Sequence, residues 1–249
     1  MYKSRGIRIV GYVLKAICMV LIFGTIGILL WRVFSSGDPA SMKRVMVNDE
    51  LKAAYEEYGE DMTMYRLNME ETTSVVNKNY GYFSVTRALF IEEAQQVQVN
   101  FRYNNSTIRH LKEDYKLSEM PSRDDDLYDV TLVVAYDLTP EDTSDNLKSE
   151  EGSVELVRYY PTKCESDKKN VYNYRKFIFD GIDMNVSPNS VLAVYVDIYY
   201  KGDVDYTKDS YGTLCVYDYI TEAKYGREDF SFSAEDIKAI EAYKSEEND

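Results

Sequence analysis

Few residues in the sequence have the type and spacing that catalysis needs. His110 is the only histidine among 249 residues and lies in a predicted helix, "STIRHLKEDYKL", where a lone histidine is more often a surface residue than a base. A serine hydrolase brings a histidine and an acid to one serine, and no G-x-S-x-G sequence frames a serine here. Acidic pairs such as Asp180 and Asp183 carry little information, because the chain has 43 acidic residues. The sequence predicts a protein that is not an enzyme and has no cofactor.

Two acidic segments, "RDDDLYD" and "DVDYTKDS", gather oxygen ligands that suit a hard cation such as calcium. The second begins like a calcium loop with Asp203, Asp205 and Thr207. It then has Lys208 in place of the sharp-turn glycine and Leu214 in place of the bidentate glutamate. Zinc lacks a ligand cluster, since one histidine and three dispersed cysteines are present. We therefore predict no metal site.

Cys164 and Cys215 lie far apart in the sequence, one after the segment "SVELVRYY" and the other inside "GTLCVYDYI". An oxidising compartment would permit a disulfide between them that ties distant parts of the fold together. Two separate thiols fit the sequence equally well. Cys18 lies in an apolar run and is interpreted as an apolar filler.

Tyrosine is unusually frequent, with 24 residues in the chain. Tyrosine side chains supply rigid, amphipathic contact area for proteins and sugars. The neighbouring pairs Tyr159, Tyr160 and Tyr199, Tyr200 therefore mark a candidate binding face for an unknown protein or an envelope polysaccharide. Tyrosine is also a favoured strand residue that lines sheets, so both interpretations stay open. Nucleic acid is excluded as a partner, because an acidic surface repels phosphates.

These residues follow an almost wholly apolar segment, "YVLKAICMVLIFGTIGILLWRVFSS". Residues 14–34 would form a helix of about 31 Å, which matches a hydrocarbon core of about 30 Å. Lys15 and Arg32 lie near the two ends, where long basic side chains can reach the headgroups, and Trp31 suits the interface. The segment predicts a transmembrane signal-anchor in contact with membrane lipid.

Charge gives the orientation of this helix. Residues 1–37 carry +5 and the whole chain −14, so the other 212 residues carry −19. Because basic residues concentrate before the helix, we expect a cytoplasmic N-terminus and a C-terminal domain outside the cell membrane. A cleaved signal peptide is the rival, with small residues at Ser35 and Gly37. The bulky "WRVF" before them and the lack of A-x-A favour the anchor.

The chain beyond the anchor begins with "SSGDPASMKR", whose Gly, Pro and Ser residues predict a short flexible stalk. A short amphipathic helix should follow, with Asn48 as N-cap and Gly59 as the stop signal. Ser233 and Asp236 have the spacing of a capping box and predict a C-terminal helix. The predicted domains are a basic cytoplasmic tail (1–13), the transmembrane helix (14–34), the stalk and short helix (35–61), a β-sandwich (62–232), and a C-terminal helix and tail (233–249).

In the predicted β-sandwich, apolar and polar residues alternate with a period of two. "QQVQVNFRYNN" places Val97, Val99, Phe101 and Tyr103 on one face and Gln96, Gln98, Asn100 and Arg102 on the other, as in a half-buried strand. The other predicted strands are 81–90, 127–138, 153–160, 171–182, 190–200 and 212–220. No long helices alternate with them, so we predict a mainly β fold, an antiparallel sandwich that is immunoglobulin-like in the broad sense, with short flanking helices.

The order of anchor, stalk, "YGYFSVTRALF", "QVQVNFRYNNSTIRHLKEDY" and "YRKFIFDGIDM" resembles uncharacterised single-pass membrane proteins of Gram-positive anaerobic bacteria. The resemblance covers nearly the whole chain. It implies an extracytoplasmic β-sandwich and, because it carries no functional motif, no activity.

Two classes of function follow from the sequence. The first is a membrane-anchored, extracytoplasmic, noncatalytic interaction module of the cell envelope, which we prefer because no catalytic framework is visible. The alternative is an envelope enzyme or a cation-dependent sensor whose site forms only in three dimensions. A flat tyrosine-bearing face would favour the first class, and a pocket with converging carboxylates and His110 the second.

Overall fold

The structure is a computed structural model that describes residues 5–67, 83–137, 154–184, 191–203, 210–218 and 228–244, with side chains omitted for 5–11, 32–36 and 228. It forms two compact units, Met1–Asp38 and Pro39–Asp249.

The first unit is a single long helix, α1 (Arg5–Ser36). Its stretch Tyr12–Trp31 has a mean hydropathy of 2.5, and none of it is buried inside the protein. By length and composition, α1 is long and apolar enough to cross a membrane.

The second unit contains ten described strands and four described helices. The helices are α2 (Ala40–Lys43), α3 (Asp49–Tyr58), α4 (Asn105–Asp114) and α5 (Ala234–Ala242). The strands are β1 (Met64–Arg66), β2 (Phe83–Ile91), β3 (Gln96–Asn104), β4 (Tyr128–Asp137), β5 (Val154–Tyr159), β6 (Lys163–Lys169), β7 (Tyr172–Phe179), β8 (Val191–Tyr200), β9 (Gly212–Asp218) and β10 (Glu228–Phe230).

The strands form two antiparallel sheets with a common interior. The six-stranded sheet has the order β10-β1-β2-β3-β7-β6, and the four-stranded sheet has the order β5-β4-β8-β9. Alternate residues of β3 and β4, such as Val99, Phe101 and Leu132, point into the core between the sheets and are at most 1% exposed. The predicted mainly β, antiparallel sandwich is confirmed.

Each of the seven predicted strands is present, and β1, β6 and β10 are additional. The sequence of β6 is "KCESDKK", which has no apolar alternation. Among the described strands, β6 pairs only with β7, so it lies at an edge where charged side chains reach water and discourage further pairing. Such a strand leaves no hydrophobic signal in the sequence.

Capping residues set the helix ends close to the predicted positions. The Asn48 side chain accepts a hydrogen bond from the Leu51 amide at 3.1 Å, and α3 ends at Tyr58 with Gly59 as its C-cap, where a φ of 60° suits glycine. Ser233 and Asp236 form the predicted capping box of α5. The helix α4 begins one residue before the predicted Ser106, because Asn104 supplies the cap.

Tyrosines fill one end of the sandwich interior. Tyr103 and Tyr128 are at most 2% exposed, with ring centroids 4.8 Å apart, and Phe83 lies 5.1 Å from Tyr128. Edge-to-face contacts of this kind stabilise aromatic clusters. Part of the tyrosine excess therefore serves the core.

Removing the hydroxyl group is expected to affect stability differently at the two buried tyrosines, Tyr103 and Tyr128. Tyr128 Oη has no hydrogen-bond partner among the described residues, whereas Tyr103 Oη is hydrogen-bonded to Arg175. We expect Tyr128→Phe to leave the free energy of unfolding unchanged or raise it by about 1 kcal/mol, and Tyr103→Phe to lower it by about 1–3 kcal/mol. Urea unfolding of both variants measures this, and a loss of stability in Tyr128→Phe would contradict it.

Candidate functional site

Residues 39–48 lie across the outer face of the six-stranded sheet, and we call this segment the strap. Met42 is fully buried, and Val45, Met46 and Val47 are at most 8% exposed. This corrects the expected flexible stalk, because from residue 39 onward the segment belongs to the folded second unit. The Gly, Pro and Ser content of the segment predicted flexibility. It gives no information about the side chains of the sheet that bind this segment.

Side chains of β3 and β7 bind the main chain of the strap. Gln98 Oε1 accepts a hydrogen bond from the Met46 amide, and Gln98 Nε2 donates to the Met46 carbonyl, both at 2.8 Å. Asn100 Nδ2 donates to the Met42 carbonyl oxygen at 2.5 Å. Lys176 Nζ donates to two further strap carbonyls, those of Ser41 at 2.6 Å and Arg44 at 2.7 Å. A side-chain amide thus takes the place of a neighbouring strand.

The polar face of β3 is consequently buried, where the sequence predicted a half-buried strand. Gln96, Gln98 and Asn100 are at most 2% exposed. Gln96 Nε2 also donates to Asp180 Oδ1 at 2.7 Å. Asp236 of α5 completes the layer by accepting from the Val45 amide at 2.7 Å. These contacts satisfy polar groups that would otherwise be costly to bury.

Lys176 is the charged centre of this layer, with 1% of its side chain exposed. Burial lowers the pKa of Lys176 to about 8. The Glu165 carboxylate, 3.8 Å away, acts in the opposite direction, while Arg87 and Arg44 lower this pKa further. The strap covers the Lys176 amine, which donates hydrogen bonds to strap carbonyl oxygens. The role of Lys176 in this structure is therefore to bind the main chain of the strap.

A second polar group lies on the four-stranded sheet, and we call it the arginine network. Arg158 of β5 donates to Thr131 Oγ1 of β4 at 2.9 Å and lies 3.4 Å from the Asp197 carboxylate of β8. Thr213 of β9 donates to the same carboxylate at 2.6 Å. Arg158 also donates to the Tyr199 hydroxyl. Polar side chains from all four strands thus form a row across the sheet.

The four tyrosines proposed as a binding face do not share one surface. Tyr199 is 3% exposed and lies in the arginine network. Tyr200 packs on the core beside Tyr115, and Tyr159 packs on the core with its hydroxyl 3.1 Å from that of Tyr136. Successive strand residues point to opposite faces, so adjacent tyrosines separate. Tyr160, which follows β5, is 54% exposed.

The strand β5 carries exposed apolar side chains. Leu156 is 66% exposed and Val154 is 53% exposed. Among the described strands, β5 pairs only with β4, so its other side is an edge. We call Val154, Leu156 and Tyr160 the β5 edge surface. It contrasts with the edge strand β6, which carries no aliphatic side chain, although β5 also includes the charged residues Glu155 and Arg158.

The cysteines are separate thiols in this structure. Cys164 lies on β6 and is exposed, and Cys215 lies on β9 and is half-buried. The two strands belong to different sheets. Of the two interpretations left open by the sequence, the structure therefore has the two separate thiols.

The remaining predicted residues are dispersed. Lys15 and Trp31 are exposed on α1, and Arg32 lies in the same helix with its side chain outside the described part. His110 Nδ1 lies 3.6 Å from the Glu113 carboxylate on α4. Sequence reasoning missed the strap contacts and the arginine network. The only signal for the first was an amide-rich strand face, and strand pairing was needed to find the second.

The acidic segments gather no metal site in the part of the chain that the structure describes. In "RDDDLYD", Asp124 pairs with Lys168, and Asp126 pairs with both Arg175 and Lys201. Residues 204–209 of the second segment lie outside the described residues.

Comparison of the chain with protein-family models, with curated proteins and with solved structures found no match.

Proposed function

We propose that the protein is a single-pass membrane protein whose β-sandwich is a noncatalytic interaction module outside the cell. The observation that carries the proposal is α1, an apolar helix whose stretch Tyr12–Trp31 has no side chain buried in the protein. A mostly apolar stretch of 20 residues exposed to water would be strongly unfavourable, and a bilayer accommodates that length. The +5 charge of residues 1–37 supports a cytoplasmic N-terminus.

The β5 edge surface is the interaction surface that we propose. An edge strand can pair with an extended segment of a partner, while exposed side chains such as Leu156 enter apolar contacts. The domain beyond residue 37 carries −19, so charge favours a basic segment. The proposed occupant is a protein that offers an extended, basic strand.

Thiol labelling tests the orientation. Cys164 is exposed, so a membrane-impermeant maleimide added to intact cells should label it. Cys164→Ser is expected to lose most of the signal, since Cys215 is half-buried. Labelling only after the cytoplasmic side is opened would overturn the topology. A mature chain that begins near Asp38 would instead show a cleaved signal peptide.

Crosslinking on intact cells tests the interaction surface. Leu156→Lys removes an apolar contact and places a positive charge against the proposed basic strand, so it should reduce capture of a protein partner at least tenfold, while folding is little affected at an exposed site. Val171→Lys is the matched control, because Val171 is 57% exposed in the turn between β6 and β7. Equal capture by both variants would contradict the proposed surface, and so would capture of a polysaccharide instead of a protein.

A further inference from the structure

The main chain of the strap is held by side chains rather than by a neighbouring strand. Met46 uses both of its main-chain hydrogen bonds on the Gln98 amide, and the Val45 amide donates to Asp236. Among the described residues, no strand of the sheet exchanges main-chain hydrogen bonds with the strap. The hydrogen-bond ladder of the six-stranded sheet is therefore complete without it.

Two ionisable side chains beneath the strap make its docked state costly. Lys176 and Asp236 are each 1% exposed. Burial of an ionised group is unfavourable even when hydrogen bonds compensate for part of the lost hydration. Both groups regain water when the strap lifts. The side chains that hold the strap therefore also reduce the cost of releasing it.

The apolar contacts of the strap are separate from the sandwich interior. Val45 and Val47 pack in a cluster with Leu51 of α3 and Ile240 of α5. The cluster between the two sheets contains no strap residue in the described part of the chain. Detachment of the strap would disturb the first cluster and leave the second intact, which is the pattern expected of a separately opening unit.

We propose that the strap is a releasable tether, in which residues 39–48 detach from the sheet while the sandwich stays folded. Only Gly37 and Asp38 lie between α1 and the strap, so release lengthens the segment that links α1 to the folded sandwich from two residues to twelve. Twelve extended residues can span about 40 Å. This inference rests on the proposed function, in which α1 is the anchor. Release would let the β5 edge surface meet partners farther from the membrane.

Hydrogen exchange of the full chain in detergent micelles tests the release directly. The amides of Val45 and Met46 should exchange at least tenfold faster than those of Val97 and Val99 in β3, through an opening that low urea does not accelerate. Equal rates in the strap and β3 would show a single cooperative unit and would overturn the proposal. Exchange in micelles does not depend on insertion into a cell membrane. A failure of the strap proposal is therefore distinguishable from a failure of the proposed anchor.

Two variants separate local release from global unfolding. Gln98→Ala removes both hydrogen bonds to Met46 and destabilises the docked state from which every opening starts, so it should speed exchange of the Met46 and Val99 amides alike, by about tenfold. Phe101→Ala empties a core position on the opposite face of β3 and should speed exchange at Val99 while leaving Met46 unchanged. Acceleration of the Met46 amide by Phe101→Ala, or no acceleration of that amide by Gln98→Ala, would overturn the proposal.

Discussion

Replacing Leu21 and Ile22 together by arginine is expected to leave the protein outside the membrane. Both residues lie at the middle of the Tyr12–Trp31 stretch. An arginine near the centre of a transmembrane helix costs about 2.5–3.5 kcal/mol on the insertion scale, so two should abolish stable insertion. The measurement is the fraction of full-length chain that stays with the membrane after carbonate extraction.

The matched control exchanges the same two residues, as Leu21→Ile with Ile22→Leu. It keeps the composition of α1, and the chain should stay in the membrane fraction like the wild type. Wild-type protein that is full-length but extracted by carbonate would contradict the anchor. Double-arginine protein that stays carbonate-resistant would contradict it as well.

The second large effect is a pH dependence that belongs to Lys176. Its pKa is lowered by burial from 10.5 to about 8 in the folded chain. Between these values the unfolded chain binds a proton that the folded chain has released, so the free energy of unfolding rises with pH. The lysine should add up to about 3 kcal/mol from pH 8 to pH 10.5, and nothing below pH 8, where both states are protonated.

The effect is measured as a difference between the wild type and Lys176→Met in urea unfolding of the full chain in micelles. The wild type should gain stability relative to this variant as the pH rises above 8. Val99→Ala is the control, because it destabilises the core without changing a titratable group. If the stability of the wild type rose with pH by the same amount relative to Lys176→Met and to Val99→Ala, the effect could not be assigned to Lys176.

The sandwich was predictable because most strands have one apolar face. In β3, Val97, Val99 and Phe101 alternate with polar residues, and that period of two identifies a strand without further information. The strand β6 was not predicted, because an edge strand of charged residues has no such period. The caps at Asn48 and Ser233 were predictable since they depend only on local sequence.

The strap was not predictable, because its docking depends on residues remote in sequence. Gln98 and Asn100 have the polarity of a solvent-facing strand surface, and sequence alone does not show that a main chain covers them. The arginine network is similar, since strand pairing brings Arg158, Thr131 and Asp197 together. The tyrosine pairs failed as one face because neighbours on a strand point in opposite directions.

The strap also sets an order of events during biosynthesis. It is among the first parts of the second unit to be synthesised, yet its partners come much later: Gln98 lies 52 residues after Met46, Lys176 lies 132 after Arg44, and Asp236 lies 191 after Val45. Contacts of such sequence separation form slowly, because a long loop must close first. Nearly the whole domain must therefore be made before the strap can dock, so the segment synthesised first is among the last to reach its native place.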